Sequence, residues 1–471
     1  MFVPVGVTLS LVVMVSLWQS NTLATAASYR VDDLARSQLQ ANGRADVFVK
    51  MLTDVDLSAA EGVTDRVERL NLVHDLLVAH AATSQANLLA YLDQQGVRYR
   101  SFWINNSVFV YEADGSLVST LAERPDVAYI RGNHQVPLSQ PIIVAPQANT
   151  PNGVEWNIAL INADDLWEEG NEGQGIVVAN NDTGVRWTHD ALDEQYRGRS
   201  GNHDYAWWDP HLDYDEPYDT NGHGTHTMGI IVGDDGNDNQ IGVAPGAEWI
   251  AAKGCESSSC SDFALTSAAE WLACPTRVDG SDPDCSQAPH VINNSWGGDG
   301  GDSWYRSYVR SWTAAGIWPI FSIGNSGDGC QTTTSPGDYS TVIGVGATDI
   351  NDRLAAFSSK GPGAFRRLKP DVVAPGQDIR SAYNASDDSY ASLSGTSMAA
   401  PHVTGVFALM LFQDPNATRR ELKEALARTT VQDLLAPPGP NACGGREYDR
   451  YPNAIYGNGR VDAYAAVHSL P

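Results

Sequence analysis

The sequence predicts an α/β protein built on a parallel β-sheet with helices on both faces, preceded by a smaller α+β domain. From Trp156 onward, short apolar runs alternate with stretches of helical periodicity. Continuous apolar runs are typical of strands buried on both faces, and helical crossovers between them indicate parallel pairing. Upstream, residues 46–131 follow the order strand, helix, strand, strand, helix, strand, which is a ferredoxin-like arrangement.

The small domain is predicted from alternation, apolar spacing and turn residues. Its expected elements are strand Asp46–Met51, helix Leu72–Gln95, two strands within Val97–Glu112, helix Leu117–Glu123 and strand Val127–Arg131. Residues 28–43 are polar and show no clear pattern. Residues 135–153 are rich in Pro, Gln and Asn, which predicts an exposed linker.

The large domain is predicted from its buried apolar runs. The expected strands are Ile176–Ala179, Trp249–Ala252, Val291–Ile292, Trp318–Phe321 and Val342–Val345, and the expected helices are Asp262–Leu272, Trp304–Ala315 and Ala399–Gln413. In a sheet of this class, ligands bind beyond the carboxyl ends of the strands. Polar residues that follow a buried strand are therefore the first candidates for a functional site.

Charge and the N-terminal residues limit the function and the location. The formal net charge of the 471 residues is −27 and lysine is scarce, so the sequence offers no basic patch for nucleic acid. Residues 1–27 are apolar and end in Leu-Ala-Thr-Ala-Ala, which predicts a secretory signal; an uncleaved membrane anchor is the alternative. No later apolar run is long enough to span a bilayer. We therefore expect a secreted, extracellular protein whose mature form is a monomer without a membrane segment.

Six cysteines in an exported chain can all be paired, and fifteen pairings are possible. Sequence proximity favours two pairs, Cys255 with Cys260 and Cys274 with Cys285. The two remaining cysteines, Cys330 and Cys443, would then form the third pair. A zinc site is the alternative for the C-x4-C spacing, but no histidine cluster accompanies it.

Ser397 lies where a turn of small residues leads into a helix. It follows Gly395 and Thr396 and precedes the predicted helix Ala399–Gln413. The N–H groups of a first helical turn have no internal partners and favour negative charge, which suits a nucleophile that creates an oxyanion beside itself. Pro401 is expected to be tolerated because the first turn needs no internal N–H bond. Alone, the motif favours a helix start that packs closely on a neighbour.

Three further residues have positions that suit catalysis. Asp182 and Asn325 each follow a predicted strand, and His223 lies between glycines at a helix start. Imidazole titrates near neutral pH, as general acid–base chemistry requires, and an amide N–H2 can donate to developing negative charge. Each residue alone also fits an ordinary turn. With Ser397 they supply a nucleophile, a base, a carboxylate to orient the base and an oxyanion donor, which are the parts of acyl transfer by serine.

The motifs around these residues resemble those of the subtilisin-like serine proteases. The matching blocks are Asp182-Thr183-Gly184, His223-Gly224-Thr225-His226 and Gly395-Thr396-Ser397-Met398-Ala399-Ala400-Pro401-His402-Val403. The similarity covers about residues 156–467, and the segments Asn293–Gly298 and Val345–Asp349 look most like bacillopeptidase F-type enzymes. The resemblance implies a subtilisin-like three-layer fold for the large domain.

The resemblance also implies a serine endopeptidase that hydrolyses peptide bonds through an acyl-enzyme and needs no cofactor for its chemistry. Asp182 would orient His223, and His223 would act as the base toward Ser397. Asn325 and the backbone N–H of Ser397 would be the two oxyanion donors. The clearance for the substrate carbonyl would come from the small residues before Ser397. His226 would be a structural neighbour.

Further roles follow from the same resemblance. Ser295, Trp296 and Gly297 would bind substrate as one wall of the pocket for the residue before the scissile bond. Residues 28–145 would be a pro-segment, with an inhibitory pro-domain of about residues 46–131, that autoprocessing removes from the catalytic domain, residues 146–471. Calcium is common in the family, so the acidic loop Asp234–Asn239 is either a structural calcium site or a solvated turn, and no metal ligand is assigned.

Three other functions compete with the protease hypothesis. A sedolisin-type acid peptidase has Glu in place of the histidine, so His223 argues against it. An α/β-hydrolase esterase needs G-x-S-x-G, and Ala399 occupies the last glycine position. A catalytically inactive subtilisin-like scaffold that binds peptides would require a broken triad, and none of the four groups is missing.

Overall fold

The computed structural model describes residues 30–138, 142–147, 153–237 and 239–471. The predicted signal segment, residues 1–27, lies outside the described residues. The described chain forms two compact units, one within residues 30–56 and 76–134 and the other within residues 57–75 and 135–471. None of the helices described has both the length and the apolar composition that a membrane span requires.

The smaller unit contains a four-stranded antiparallel sheet. In spatial order its strands are Tyr99–Phe102, Ser107–Asp114, Arg44–Met51 and Val127–Gly132. Its helical segments are Asp33–Asn42, Gly115–Glu123 and residues 76–95 of helix Arg66–Gln95. The first and third of the four strands in chain order lie at the centre of the sheet, so the predicted ferredoxin-like arrangement is confirmed.

Helix Asp33–Asn42 lies in the stretch where the sequence shows no clear pattern. The side chain of Asp32 caps it by accepting the N–H of Ala35 at 2.9 Å, and Gly43 ends it with a φ of 72°. Ala35 is the one buried residue of this helix, so the apolar periodicity that identifies a helix is missing.

The larger unit is organised around a seven-stranded parallel sheet. In spatial order the strands are Val372–Pro375, Ile343–Thr348, Trp318–Ser322, Val291–Asn294, Val177–Asp182, Glu248–Lys253 and Trp207–Trp208. The helices are Trp156–Leu160, Asp164–Glu168, His223–Val232, Asp262–Ala273, Arg306–Ala314, Thr396–Gln413, Arg419–Arg428 and Ala463–His468. The five predicted strands are confirmed, and this unit has the predicted α/β fold. The two edge strands were not predicted, because one is only two residues long and the other ends in proline.

The prediction of an exposed linker over residues 135–153 is wrong for two segments. Gln135–Pro137 pairs antiparallel with Ser259–Ser261, and Ile142–Gln147 pairs antiparallel with Tyr390–Ser394. Polar or proline-containing segments form strands when neighbouring strands supply the hydrogen bonds. Other short pairings are Tyr390–Ser394 with Ile379–Ala382, Gly153–Val154 with Asn239–Gln240, and Ala442–Cys443 with Arg446–Glu447.

The larger unit contains three disulfides, and they confirm the three predicted pairs: Cys255–Cys260, Cys274–Cys285 and Cys330–Cys443. Their sequence separations are 5, 11 and 113 residues. A cross-link restricts the unfolded chain more when it closes a longer loop, so the three bonds should differ in their contribution to stability.

Replacing Cys330 and Cys443 with alanine is expected to lower the free energy of unfolding by about 5 kcal/mol, against about 2 kcal/mol for the Cys255–Cys260 pair. The difference follows from the chain entropy of the two closed loops. Urea unfolding of both double variants measures it. Equal losses of stability would contradict the expectation.

Candidate active site

The four candidate residues lie at strand ends and helix starts of the larger unit. Asp182 is the last residue of strand Val177–Asp182, and Asn325 follows strand Trp318–Ser322. His223 begins helix His223–Val232 (the His223 helix), and Ser397 lies in the first turn of helix Thr396–Gln413 (the Ser397 helix). Parallel strands end at the same edge of a sheet, so such residues converge although they are far apart in sequence.

Asp182 and His223 form a buried hydrogen-bonded pair. Nδ1 of His223 lies 2.7 Å from Oδ1 of Asp182, and neither side chain is more than 1% exposed. The N–H of Thr183 donates to the same carboxylate oxygen at 2.8 Å. The contact with Asp182 makes Nδ1 the protonated nitrogen of the neutral ring, so Nε2 is the nitrogen that accepts a proton.

The surroundings of His223 raise its pKa above the ordinary histidine value. Burial is the largest influence and by itself lowers the pKa, but the charge and hydrogen bond of Asp182, together with the charge of Asp219, outweigh it. Nε2 of His223 is buried and has no hydrogen-bond partner among the described residues. The ring is therefore oriented as a base whose acceptor nitrogen is Nε2.

Asp219 builds the turn before the His223 helix, and sequence reasoning missed it. Its Oδ1 accepts the N–H groups of Asn221 and Gly222, both at 2.9 Å, and its Oδ2 accepts the N–H of Thr225 at 3.0 Å. The N-cap residue Gly222 has a φ of 96°, which glycine adopts without strain. An Asp that precedes Asn-Gly-His in a turn was the available signal.

Ser397 is 3% exposed, and its hydroxyl donates to the carbonyl of Ser295 at 3.1 Å. Within the described residues no hydrogen bond joins this hydroxyl to His223. Hydrogen bonds between a nucleophile and its base are often loose or unformed before substrate binds. The missing hydrogen bond to His223 therefore does not argue against Ser397 as a nucleophile.

The side-chain amide of Asn325 is fixed with its N–H2 toward Gly395. Its Oδ1 accepts the N–H and the hydroxyl of Thr396, both at 2.8 Å. A Cβ added to Gly395 would lie 3.4 Å from Nδ2 of Asn325 and 3.6 Å from the backbone N of Ser397. Both donors therefore border one small space that is open because residue 395 has no side chain. The φ of Gly395 is 170°, which is extended backbone, so clearance and not conformation explains this glycine.

The predicted substrate-binding residues Ser295, Trp296 and Gly297 have different environments. The hydroxyl of Ser295 is buried and donates to the carbonyl of Ser397 at 2.8 Å. Trp296 is 2% exposed, and its ring packs edge-on against two core aromatic rings. Gly297 is half-buried, and a Cβ there would lie 2.5 Å from Oγ1 of Thr334. Their role as a pocket wall stays a prediction, with the indole of Trp296 on the core side.

Two other buried histidines, His226 in the His223 helix and His402 in the Ser397 helix, contact backbone carbonyl oxygens. Nε2 of His226 lies 3.1 Å from the carbonyl oxygen of Ile379 and 3.0 Å from that of Ala391. Nδ1 of His402 lies 2.8 Å from the carbonyl oxygen of Met398. Burial lowers the pKa of His226 to about 3 and that of His402 to about 4, so both rings are neutral near pH 7. The contacts of His226 agree with its interpretation as a structural neighbour.

The acidic loop at residues 234–239 was the candidate for calcium. Oδ1 of Asp234 accepts the N–H of Gly236, and Oδ1 of Asp235 accepts the N–H of Asn237, both at 2.9 Å. The described part of this loop contains no group of three His, Cys, Asp or Glu ligands within reach of one ion. Oδ1 of Asp234 and Oδ1 of Asp235 are both used by the loop's own backbone, so this part gives no support to a calcium ion.

The chain matches the model of the subtilase family over residues 173–459, a range that includes all four candidate residues. The chain belongs to the subtilase family. It is 36% identical over 452 residues to Bacillopeptidase F of Bacillus subtilis (strain 168), a match that covers 90% of this chain and 30% of that protein. It is also similar to Subtilisin DY of Bacillus licheniformis, with 34% identity over 59% of this chain and 92% of that protein. M-protease of Shouchella clausii (strain KSM-K16) is 32% identical over 67% of this chain and 71% of its own length.

These matches confirm the predicted family, the likeness to bacillopeptidase F-type enzymes and, at the level of the family, the predicted class of serine-type peptide hydrolase. The chain covers only 30% of the length of Bacillopeptidase F, so the activity and partners of that whole protein are not carried over. A family match does not assign catalytic residues, and their roles are proposed from the geometry.

Proposed function

We propose that this protein is a secreted serine endopeptidase in which Asp182, His223 and Ser397 form a catalytic triad. The strongest support is the buried 2.7 Å contact between Asp182 and His223. The open space beside Gly395, bordered by two N–H donors, adds a place for a negatively charged oxygen. An oriented base and an oxyanion site are what a serine nucleophile needs to cleave a peptide bond.

In the proposed reaction, Oγ of Ser397 attacks the carbonyl carbon of the scissile bond while Nε2 of His223 takes the hydroxyl proton. The carbonyl oxygen becomes negative and accepts hydrogen bonds from Nδ2 of Asn325 and the N–H of Ser397. His223 gives its proton to the leaving amine, and an ester remains on Ser397. Water, deprotonated by His223, hydrolyses the ester and restores the serine. Asp182 holds the ring of His223 through the 2.7 Å contact with Nδ1, so side chains and backbone alone supply the chemistry.

Asn325→Ala is expected to lower kcat about 100- to 1000-fold, an effect of the size known for a subtilisin oxyanion asparagine, while KM changes little. The donor acts on charge that exists only in the transition state, so ground-state binding is retained. Steady-state hydrolysis of a peptide amide measures both constants, with the exposed Asn351→Ala as a control. An unchanged kcat would remove Asn325 from the oxyanion site.

The acid limb of the activity is expected to have its midpoint above about 6.5, the ordinary histidine value, because neutral His223 is the base and its pKa is raised. Below that pKa the ring is protonated and cannot accept the proton of Ser397. Asp182→Asn removes a charge that raises the pKa, so the acid limb of its residual activity should move to lower pH. Profiles of kcat/KM against pH test the sign, and a move to higher pH would contradict the assignment.

We also propose that the protein is made as a zymogen that processes itself. Strand Gln135–Pro137 pairs antiparallel with Ser259–Ser261, and a Cβ at Gly298 would lie 3.7 Å from Val136. An extended segment of the chain thus lies next to the predicted substrate wall, as a peptide added to a sheet edge would. This supports a cut between Pro137 and about residue 145, which would release the catalytic domain. N-terminal sequencing of the mature protein locates the cut, and an N-terminus upstream of Gln135 would contradict the proposal.

The proposal includes export of the protein, protein or peptide substrates, and inhibition by the smaller unit. Export is supported by the apolar residues 1–27 and by three disulfides, which form in oxidising compartments. Proteins and peptides are the proposed substrates, and the smaller unit is the proposed inhibitor before the cut. A monomeric mature form stays a prediction. The inactive scaffold has no support, because all four groups that it would have to lack are present.

A further inference from the structure

Pro401 leaves one carbonyl of the Ser397 helix without its usual partner. The sequence predicts Pro401 in the first turn, but the helix begins at Thr396, so Pro401 lies in the second turn. Proline has no N–H, and the missing donor is the one that would bond to the carbonyl four residues earlier, at Ser397. Ser397 is 3% exposed, and the hydroxyl of Ser295 donates to this carbonyl at 2.8 Å. Ser295 thus replaces the donor that the proline removes.

Ser295 is also the end of a chain of buried hydrogen bonds that reaches the His223 helix. Nδ2 of Asn293 donates to Oγ of Ser295 at 3.0 Å and to Oδ1 of Asn180 at 2.9 Å. Nδ2 of Asn180 donates to the carbonyl of Gly224, the residue after His223, at 3.0 Å. Asn180, Asn293 and Ser295 are each no more than 1% exposed. The chain joins the backbone at the nucleophile to the backbone beside the base.

We propose that Asn180, Asn293 and Ser295 are positioning residues that set the distance and orientation between Ser397 and His223. The proposal rests on the proposed triad. Apolar packing is non-directional, whereas buried hydrogen bonds have a narrow range of geometry and are costly to leave unmade. Misplacing reacting groups by about 1 Å costs about 100-fold in rate, so fixing the two helices against each other has a direct effect on turnover.

The same two strands carry a second asparagine pair that provides a matched control. Nδ2 of Asn181 donates to Oδ1 of Asn294 at 3.1 Å, and both residues are 0% exposed. Nδ2 of Asn294 lies 3.3 Å from the carbonyl oxygen of Ile292 and 3.4 Å from that of Ile320, so its bonds reach strands and not the two helices. Successive residues of a strand point to opposite faces, which places this pair on the face away from the Asn180–Asn293 pair.

The test compares Ser295→Ala and Asn180→Leu with the control Asn181→Leu, each matured by a trace of wild-type enzyme. We expect kcat for a peptide amide to fall about 100-fold in the first two variants with KM nearly unchanged, and to stay within a few-fold of wild type in Asn181→Leu. Thermal unfolding of both asparagine variants is measured alongside, so that a loss of turnover is compared with the loss of stability in the same protein. Residues that act as one unit are non-additive, so the double variant Asn180→Leu/Ser295→Ala should be about as slow as the slower single variant.

Equal losses of kcat in Asn180→Leu and Asn181→Leu would mean that these asparagines act only through stability, and would overturn the proposal. The proposal would also be overturned if the fold-loss of kcat in the double variant equalled the product of the losses in the two single variants. If Asn180→Leu does not fold, Ser295→Ala tests the positioning role instead, because it removes only one hydroxyl. A wild-type kcat in Ser295→Ala would reject the proposal. A failure of the triad itself is a different result, since Ser397→Ala would then hydrolyse the peptide as fast as wild type.

Discussion

Replacing Ser397 with alanine is expected to lower kcat about 10⁶-fold, an effect of the size known for a subtilisin serine, with the fold retained. The hydroxyl of Ser397 supplies the oxygen that becomes the acyl ester. The hydroxyl of the neighbouring Thr396 cannot substitute for it, because it donates to Oδ1 of Asn325 at 2.8 Å. Substrate contacts other than the reacting oxygen remain, so KM should change little.

The same variant tests self-processing. Expressed in a protease-free host, Ser397→Ala should accumulate with its pro-segment uncut. Ser394→Ala is the control, since the hydroxyl of Ser394 contacts Asp378 at 3.2 Å, and this variant should mature. Mass spectrometry of the purified chains distinguishes the two forms. Maturation of Ser397→Ala without an added protease would show that another enzyme makes the cut.

Gly395→Ala is expected to lower kcat about a thousandfold or more without unfolding the protein. The added methyl would lie 3.4 Å from Nδ2 of Asn325 and 3.6 Å from the N of Ser397, in the space proposed for the substrate oxygen. The loss should at least equal that of one oxyanion donor, which is about 100- to 1000-fold, because the methyl keeps the oxygen from both. The extended φ of 170° and the ordinary contact distances permit alanine in the folded chain.

Gly329→Ala provides the control for this substitution, since its Cβ would meet only a methyl group of Thr332, at 3.6 Å. Both variants should melt near the wild-type temperature, and only Gly395→Ala should lose turnover. If Gly395→Ala keeps more than about a tenth of the wild-type kcat, the space beside residue 395 is not where the substrate oxygen becomes charged.

The sequence predicts where the candidate residues lie in the fold, because each occupies a strand end or a helix start that local rules recognise. Asp182 and Asn325 follow buried apolar runs, and Ser397 precedes a long apolar helix, so strand ends and a helix start are visible without tertiary information. The five central strands are predicted for the same reason. A helix with one buried residue, Asp33–Asn42, gives no such pattern.

The supporting residues could not be predicted because their roles depend on partners far away in sequence. The sequence around Asp219 indicates a turn carboxylate, but its contact with Thr225 and its effect on the pKa of His223 are visible only in the folded chain. The family resemblance implies clearance before Ser397, but only the folded chain gives the distance between the position of a Cβ at Gly395 and Nδ2 of Asn325, 70 residues earlier (395 − 325 = 70). Strand Gln135–Pro137 forms only because Ser259–Ser261 offers it an edge. Composition and periodicity contain no information about such pairings.

The most direct test of the proposed triad is to label the mature protein with a serine-directed fluorophosphonate probe and to identify the labelled residue by peptide mass spectrometry. We predict a single adduct on Ser397 that is absent from Ser397→Ala and forms far more slowly in His223→Ala, because the base must take the hydroxyl proton as the bond to phosphorus forms. An adduct on another residue, no adduct on the mature protein, or equal labelling without His223 would contradict the proposed triad.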